Sequence, residues 1–87
     1  MPNTRAAKRA LRKSERARLR NMQRKEAIRR VIRQIRKHLM AGQKQEAQAL
    51  LPQLAKVVDK AAARGAIHPN KAARLKARFM QLVARAA

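Results

Sequence analysis

The sequence predicts an all-α protein, a three-helix antiparallel bundle whose long, highly basic N-terminal helix overhangs the other two helices. Ala, Arg, Lys, Gln and Leu, which all favour helix, dominate the 87 residues. No stretch alternates apolar and polar residues as a half-buried strand would. The two glycines, Gly42 and Gly65, each follow a segment of helical periodicity, where a residue with positive φ commonly ends a helix. They divide the chain into three helices.

The first helix is predicted to begin after Asn3 or Thr4, which are both good N-cap residues, and to end near Met40. Lys37 and His38 in its last turn suit the negative end of the helix dipole. At about 1.5 Å per residue it is about 55 Å long, against about 30 Å for the second helix. Because short connections make neighbouring helices antiparallel, roughly the first 20 residues have nothing in this chain to pack against.

The second helix is predicted from about Lys44 to Ala63, and Pro52 lies inside it. Proline cannot donate to the carbonyl of Gln48 and its ring clashes there, so we expect a kink or a broken turn. The third helix is predicted to begin near His68 and Pro69, because proline at the first helical position loses no hydrogen bond. The large apolar residues that could enter the core are Ile28, Val31, Ile32, Ile35, Leu39, Leu50, Leu51, Leu54, Val57, Val58, Ile67, Leu75, Phe79, Met80, Leu82 and Val83.

The positive charge lies at the two ends of the chain. Residues 1–37 carry a net charge of +13, residues 38–63 carry +1 and residues 64–87 carry +6. Self-repulsion of this size destabilises a compact state, so a polyanionic partner is expected, with nucleic acid first and an anionic membrane second. No apolar run exceeds three residues, which argues against a transmembrane helix and a signal peptide.

Residues spaced three and four apart form a seam along one side of the first helix, and the size and polarity of their side chains change halfway along it. From residue 28 onward it is aliphatic and should face the other helices, whereas before residue 22 it is small or weakly polar. Small residues would let the helix axis approach a surface closely while flanking Arg and Lys reach phosphates, although alanine could be there only for its helix propensity. We therefore expect a single domain over 1–87, with a basic helical arm at 1–24 that binds the polyanion and a three-helix bundle at 25–87. The small members of the seam are Ala7, Ala10, Ser14, Ala17 and Asn21.

The residues that enzymes and metal sites require are missing. The four acids are scattered, and His38 and His68 are far apart in sequence, so we expect no catalytic residues, no metal, no cofactor and no small-molecule substrate. The absence of cysteine excludes disulfides and thiolate metal sites and fits an intracellular setting. Phe79 is the one aromatic residue, which disfavours binding of single strands by base stacking. Folded RNA or duplex DNA, bound through phosphates and shape, remains. A membrane-surface helix fits less well because the seam of the arm is small rather than bulky.

The run Arg64-Gly65-Ala66-Ile67-His68-Pro69-Asn70-Lys71-Ala72-Ala73-Arg74-Leu75-Lys76-Ala77-Arg78 resembles the signature of the bacterial small-subunit ribosomal protein twenty family, and the resemblance extends over essentially the whole chain. Near the start, Ala7-Lys8-Arg9 and Glu15-Arg16-Ala17-Arg18-Leu19-Arg20-Asn21 are similar to that family too. Two positions depart from its pattern: Pro69 replaces a usual Lys, and Gln43 stands where an Asp is frequent, which weakens the N-cap of the second helix.

The resemblance implies a structural constituent of the small ribosomal subunit that binds 16S ribosomal RNA directly and supports subunit assembly. It implies contacts with the 5′ domain and the long helix near the 3′ end, few or no required protein contacts, and a cytoplasmic, ribosome-bound location. The alternative is a DNA-binding architectural protein, which the lack of a wedge residue disfavours. Carried over by position, the RNA contacts are Lys8, Arg9, Arg16, Arg18, Arg20, Asn21, His68, Asn70, Lys71, Arg74, Lys76 and Arg78. The charge of the arm adds Arg5, Arg12, Lys13 and Arg24.

Without RNA, the arm is expected to be disordered. Its basic residues form like-charge pairs four residues apart, such as Lys8 with Arg12 and Arg12 with Arg16, and each pair disfavours helix by a few tenths of a kcal/mol. Phosphates would reverse the sign of this effect. We therefore expect RNA binding to order residues 4–24 as helix.

Overall fold

The computed structural model describes residues 4–86 and contains three helices within them, α1 (Arg5–Met40), α2 (Lys44–Ala63) and α3 (Pro69–Arg85). The predicted all-α fold and its helix boundaries are confirmed. Thr4 is the N-cap of α1, where its hydroxyl oxygen accepts a hydrogen bond from the Ala7 amide at 3.1 Å. The alternative N-cap, Asn3, lies outside the described residues.

Both glycines end their helices as predicted. Gly42 and Gly65 have φ of 75° and 77°, a conformation that glycine adopts without steric cost. After α1, the Gly42 amide donates to the Leu39 carbonyl at 3.1 Å and the Gln43 amide to the His38 carbonyl at 2.8 Å. This pair of bonds defines a Schellman motif, and the turn after α2 repeats it around Gly65. The chain therefore reverses direction twice with most terminal backbone groups satisfied.

The Gln43 side chain does not cap α2, in agreement with the weak N-cap expected there. Its Oε1 instead lies 2.7 Å from Nδ1 of His38. The same ring nitrogen lies 3.1 Å from a carboxylate oxygen of Glu46 in the first turn of α2. His38 thus connects the end of α1 to the start of α2 across the first turn.

The α2 helix packs against both α1 and α3, and their apolar faces enclose one core. Val58, Ile35 and Val83 are fully buried, one from each helix, and Phe79 is 2% exposed. At the far end of the bundle, Lys44 of α2 donates to the carbonyl of Ala84 at 3.3 Å, as antiparallel neighbours require. Most of the predicted core residues are buried or partly buried, and four alanines complete the core: Ala47, Ala61, Ala66 and Ala72.

The prediction that Met80 and Leu82 enter the core is wrong, because they are 59% and 43% exposed. Ala72, Phe79 and Val83, at separations of seven and four, define the buried stripe of α3. At about 100° per residue, Met80 and Leu82 lie about 80° to either side of the middle of that stripe. Met80 lines a surface groove with Leu51, Pro52 and Ala55 of α2 and stays largely exposed there.

Pro52 does not interrupt α2, which is helical from Lys44 to Ala63. The broken turn that the sequence allowed therefore does not occur. Leu51 is packed against the core and Leu54 is buried, so apolar burial on both sides of the proline offsets the lost hydrogen bond.

The molecule is elongated because α1 is longer than α2 and α3 and extends beyond them. Its dimensions are 60 × 23 × 17 Å and its radius of gyration is 17.3 Å, against about 12 Å for a compact chain of this length. No residue among 4–27 is buried, whereas Ile28, Val31 and Ile35 are. Within the described residues, no helix is both long and apolar enough to cross a membrane.

Candidate nucleic-acid interface

The positive charge of the arm is not neutralised within the described chain. Residues 5–24 contain nine basic residues and one acid, Glu15. Among residues 4–86, carboxylates pair only with bases outside the arm: Glu26 with Arg29 and Arg33 of α1, Glu46 with His38, and Asp59 with Lys76. The arm therefore presents a dense, accessible cationic surface.

Glu26 lies just beyond the arm, where α1 enters the bundle. Its carboxylate accepts a hydrogen bond from Arg33 at 2.8 Å and lies 3.7 Å from Arg29. The hydrogen bond from Arg33, together with the positive charges of Arg33, Arg29 and Arg30, lowers the pKa of Glu26 and outweighs the opposing effect of desolvation. This carboxylate stays ionised over the physiological range and neutralises bundle arginines rather than arm arginines.

The small-residue seam lies between two basic concavities that share Ala17 and Asn21. The first, of about 500 Å³, is lined by Arg20 and Arg24 of the arm and by Arg64 from the α2–α3 turn. The second contains Arg18 and Lys25 on the other side of the seam, together with Ser14 and Met22. Cations therefore flank a strip of small residues on both sides, the arrangement expected of a helix that approaches a phosphate-bearing surface closely.

Two hydrogen bonds hold arginine side chains along the arm. Asn21 Oδ1 accepts from Arg24 at 3.4 Å in a half-buried position, and Arg16 Nε donates to the carbonyl of Arg12 at 3.5 Å. Both contacts are long. The other guanidinium N–H groups face solvent and can donate to an anion. A third shallow concavity, further toward the N-terminus, is lined by Arg9, Lys13, Arg16 and Arg20.

The start of α3 lies beside α1 at the base of the arm. His68 is the N-cap of α3, and its Nδ1 accepts a hydrogen bond from the Asn70 amide at 3.0 Å. This bond leaves Nε2 as the protonated, outward-facing donor of a neutral ring. Lys71, one turn into the helix, lines a groove between α1 and α3 together with Lys25 and Arg29. The structure thus brings the predicted contact residue Lys71 of α3 close to the basic residues of α1 at the base of the arm.

Along α3, the predicted contacts separate into two groups. Lys71, Arg74 and Arg78 are exposed, and their spacings of three and four place them on one outward stripe. Lys76 lies on the opposite flank, where its ammonium pairs with Asp59 of α2 at 2.7 Å. Asp59 therefore neutralises Lys76 within the chain, unlike Lys71, Arg74 and Arg78, which have no carboxylate partner among the described residues.

The structure does not bring every predicted residue near the bundle. Arg5, Lys8, Arg9, Arg12 and Lys13 lie along the projecting part of α1, where α2 and α3 make no contact. These five residues are therefore brought together only by α1 itself and not by the packing of the bundle.

Three basic residues adjoin these concavities although the sequence analysis did not select them. Lys25 and Arg29 lie on α1 just past the predicted arm boundary, and Arg64 lies in the α2–α3 turn. Helical periodicity could have found Lys25, because it continues the face of Arg18 at a separation of seven. Arg64 begins the run that carries the family resemblance, but its closeness to Arg20 depends on the antiparallel pairing of α1 and α2 and could not be read from the sequence.

Nothing in the described chain forms a metal centre, because no group of three or more His, Asp or Glu side chains converges there. The basic concavities offer hydrogen-bond donors and positive charge, which suit an extended polyanion.

Comparison with known proteins agrees with this geometry. The family model for ribosomal protein S20 matches residues 2–84. The small ribosomal subunit protein bS20 of Thermomicrobium roseum is 47% identical over 81 residues, which are 93% of this chain and 82% of that protein. The protein of the same name from Coxiella burnetii, strain RSA 493, is 40% identical over 83 residues, 95% of this chain and 92% of its own. That from Caldicellulosiruptor saccharolyticus is 36% identical, covering 95% and 84%. With matches of this extent across three helices and a basic arm, the chain belongs to the ribosomal protein S20 family.

Proposed function

We propose that this protein is a structural constituent of the bacterial small ribosomal subunit that binds 16S ribosomal RNA directly. The relatives described above carry the name of small ribosomal subunit proteins. Ribosomal proteins of this family are structural components and not enzymes. Family membership gives no support to the alternative of a DNA-architectural protein.

The observation that carries the proposal is an extended basic surface whose cations in the arm have no carboxylate partner. It runs from the arm, along both sides of the Ala17–Asn21 seam, to the outward stripe of α3 that begins at Lys71. Among residues 4–86 no carboxylate lies within 4 Å of an arm cation. Because base-stacking side chains are missing from this surface, it recognises phosphates and shape rather than single-stranded bases.

Charge neutralisation is the proposed mechanism. The arm lies between RNA helices that would otherwise repel one another, with its small residues toward the RNA and its guanidinium groups on either side. Arginine suits this role since its planar group donates two parallel hydrogen bonds to a phosphate. Contacts with the 5′ domain and with the long 3′ minor-domain helix would draw these segments together early in subunit assembly. The protein needs few protein partners for this role, and its location is the cytoplasm, on the ribosome.

A competition assay tests the proposal. The full chain is titrated into labelled 16S rRNA transcript at 50 and 200 mM salt, against unlabelled 16S rRNA, a 23S rRNA fragment and random duplex DNA at equal phosphate concentration. We expect 16S rRNA to compete at least about tenfold better than either rival at 200 mM salt, where non-specific phosphate binding is weak. Equal competition by all three would contradict the proposal, and preference for duplex DNA would support the architectural alternative.

Two double variants that remove equal charge test which surface of the protein binds 16S rRNA. Lys71→Gln with Arg74→Gln removes two charges from the α3 stripe, and Lys56→Gln with Lys60→Gln removes two from exposed positions of α2 outside the basic concavities. The first pair is expected to weaken 16S binding more than the second, since only the first removes phosphate contacts. Equal losses would show that total charge, and not this surface, determines binding.

A further inference from the structure

The α2–α3 turn lies against α1 at the base of the arm. Ala66 and Ile67 of this turn are buried in the core. Arg64, the C-cap of α2, is exposed and lines the first basic concavity together with Arg20 and Arg24 of α1. Guanidinium groups that are 40 or more residues apart in sequence are therefore gathered around one space.

The lining of this concavity consists almost entirely of hydrogen-bond donors. Each guanidinium group carries five N–H donors and no acceptor. The Asn21 oxygen already accepts from Arg24 at 3.4 Å, which leaves its amide hydrogens as further donors. Ala17 adds no polar group, and no carboxylate lines the space of about 500 Å³. The groups present can satisfy only an anion with several acceptor oxygens.

The positive charges that line this space repel one another. Arg20 and Arg24 belong to α1, whereas Arg64 follows α2 in the turn at Gly65, so two elements bring like charges to one concavity. A phosphate between them would replace this repulsion by three charge-assisted contacts.

We propose that Arg20, Arg24 and Arg64 bind a single backbone phosphate of RNA at the junction of arm and bundle. The inference rests on the rRNA-binding function proposed above and adds Arg64 as a ligand from a second structural element. It gives the site a role that the rest of the arm lacks. A phosphate held by both elements connects the folded bundle to the first helical turns of the arm, so ordering of the arm begins at this point.

The test measures affinity for 16S rRNA transcript and its salt dependence for four full-length proteins: wild type, Arg64→Gln, Arg24→Gln and the double variant. Lys56→Gln, which removes one charge from an exposed position of α2 outside this concavity, is the matched control. Circular dichroism confirms that helicity is unchanged. Arg64→Gln is expected to weaken binding about five- to tenfold more than Lys56→Gln. It should also make the negative slope of log K against log salt shallower by up to about 0.9, the value per phosphate contact on duplex DNA.

Because Arg24 and Arg64 would contact the same phosphate, the affinity losses of their single variants should not be additive. The double variant should lose less affinity than the product of the single losses, with a slope still lowered by no more than about 0.9. If Arg64→Gln behaves like Lys56→Gln while wild type binds 16S rRNA, the inference is overturned and the proposed function stands. Additive losses would assign the two arginines to separate phosphates and would also overturn it. Failure of wild type to prefer 16S rRNA would reject both.

Discussion

The two halves of α1 have the same secondary structure for different reasons. In residues 28–39 the helix places Ile28, Val31 and Ile35 in the core, and α2 and α3 cover them. In residues 5–24 no side chain is buried, and Leu11 and Leu19 are 52% and 55% exposed. The first region is helical because burial stabilises it, whereas the second has only local propensity, an N-cap and the cooperativity of continuing a formed helix.

Charge increases this contrast. Glu26 neutralises Arg29 and Arg33 beside the bundle, and Asp59 neutralises Lys76 within it. The arm cations have no carboxylate partner among the described residues. Burial and ion pairs within the chain therefore stabilise the bundle part of α1, whereas the arm would gain its counter-charges from the proposed RNA contacts. One continuous helix thus contains a region supported by tertiary contacts and a region supported mainly by local ones.

The largest expected effect separates the regions by stability. Phe79→Ala removes a ring that is 2% exposed, beside which the Arg36 guanidinium lies 5.6 Å from the ring centroid. It should lower the free energy of unfolding by about 3–5 kcal/mol. Leu19→Ala, on the exposed arm, should change it by less than about 0.5 kcal/mol. Urea denaturation of both variants measures this, and a comparable loss for Leu19→Ala would show that the arm folds as part of the bundle.

Hydrogen exchange measures the same difference residue by residue. In the free protein at moderate salt, amides of residues 8–24 should exchange nearly as fast as in an unfolded chain, while those of Ile35 and Val58 are protected by the core. Binding of 16S rRNA should slow exchange in the arm by at least about 100-fold, because phosphates replace like-charge repulsion. Strong protection of residues 8–24 without RNA would contradict this expectation.

Removal of arm charges should affect binding without affecting the bundle. Replacing Arg9, Arg12, Arg16, Arg18 and Arg20 by Gln should weaken rRNA binding by about two orders of magnitude or more. The salt slope should flatten by up to about 4.5, if each arginine contacts one phosphate and the duplex DNA value applies. The unfolding free energy should stay the same or rise. An unchanged slope would show that the arm does not contact phosphates.

The small-residue seam makes a finer distinction. Ala10 is exposed and Ala17 is half-buried between the two basic concavities. Changing both to Leu barely alters helix propensity, yet should weaken rRNA binding about tenfold, or about 1.4 kcal/mol, if RNA approaches the seam closely. A double change of exposed residues elsewhere on the helix, Gln23→Leu with Gln34→Leu, is the control. Tight binding by the Ala10/Ala17 double variant would mean that alanine is there only as a helix former.

The smallest expected effect is the pH response at the boundary between the regions. Since the hydrogen bond from Arg33 lowers the pKa of Glu26 in the folded protein, its contribution is fully present above the unfolded pKa and is lost as pH falls through the lower folded value. Helicity of the free protein should therefore fall slightly more below about pH 4 in wild type than in Glu26→Gln. Identical acid titrations monitored by circular dichroism would contradict this.

Sequence patterns anticipated most of the fold because the relevant signals are local. Thr4 caps α1, His68 caps α3, and Gly42 and Gly65 end their helices, and each of these depends on contacts within a few residues. The burial of Met80 and Leu82 was misjudged, because helical periodicity gives the direction of a face and not the width over which neighbouring helices cover it. At Pro52 the sequence left a kink or a broken turn open, and the helix continues through it, with core contacts on either side.

For the candidate interface too, some features follow from the sequence and others depend on how the helices pack. Sequence alone determined that the chain is helical, that its first 24 residues are too basic and too poor in large apolar side chains to form a core, and that its partner is a polyanion. Charge and composition do not depend on how helices pair. Only the tertiary structure placed Arg64 beside Arg20 and Lys71 beside Lys25, and turned Lys76 toward Asp59. Those neighbours are distant in sequence, and the antiparallel register of α1, α2 and α3 alone decides which charges meet across a groove and which are paired inside the chain.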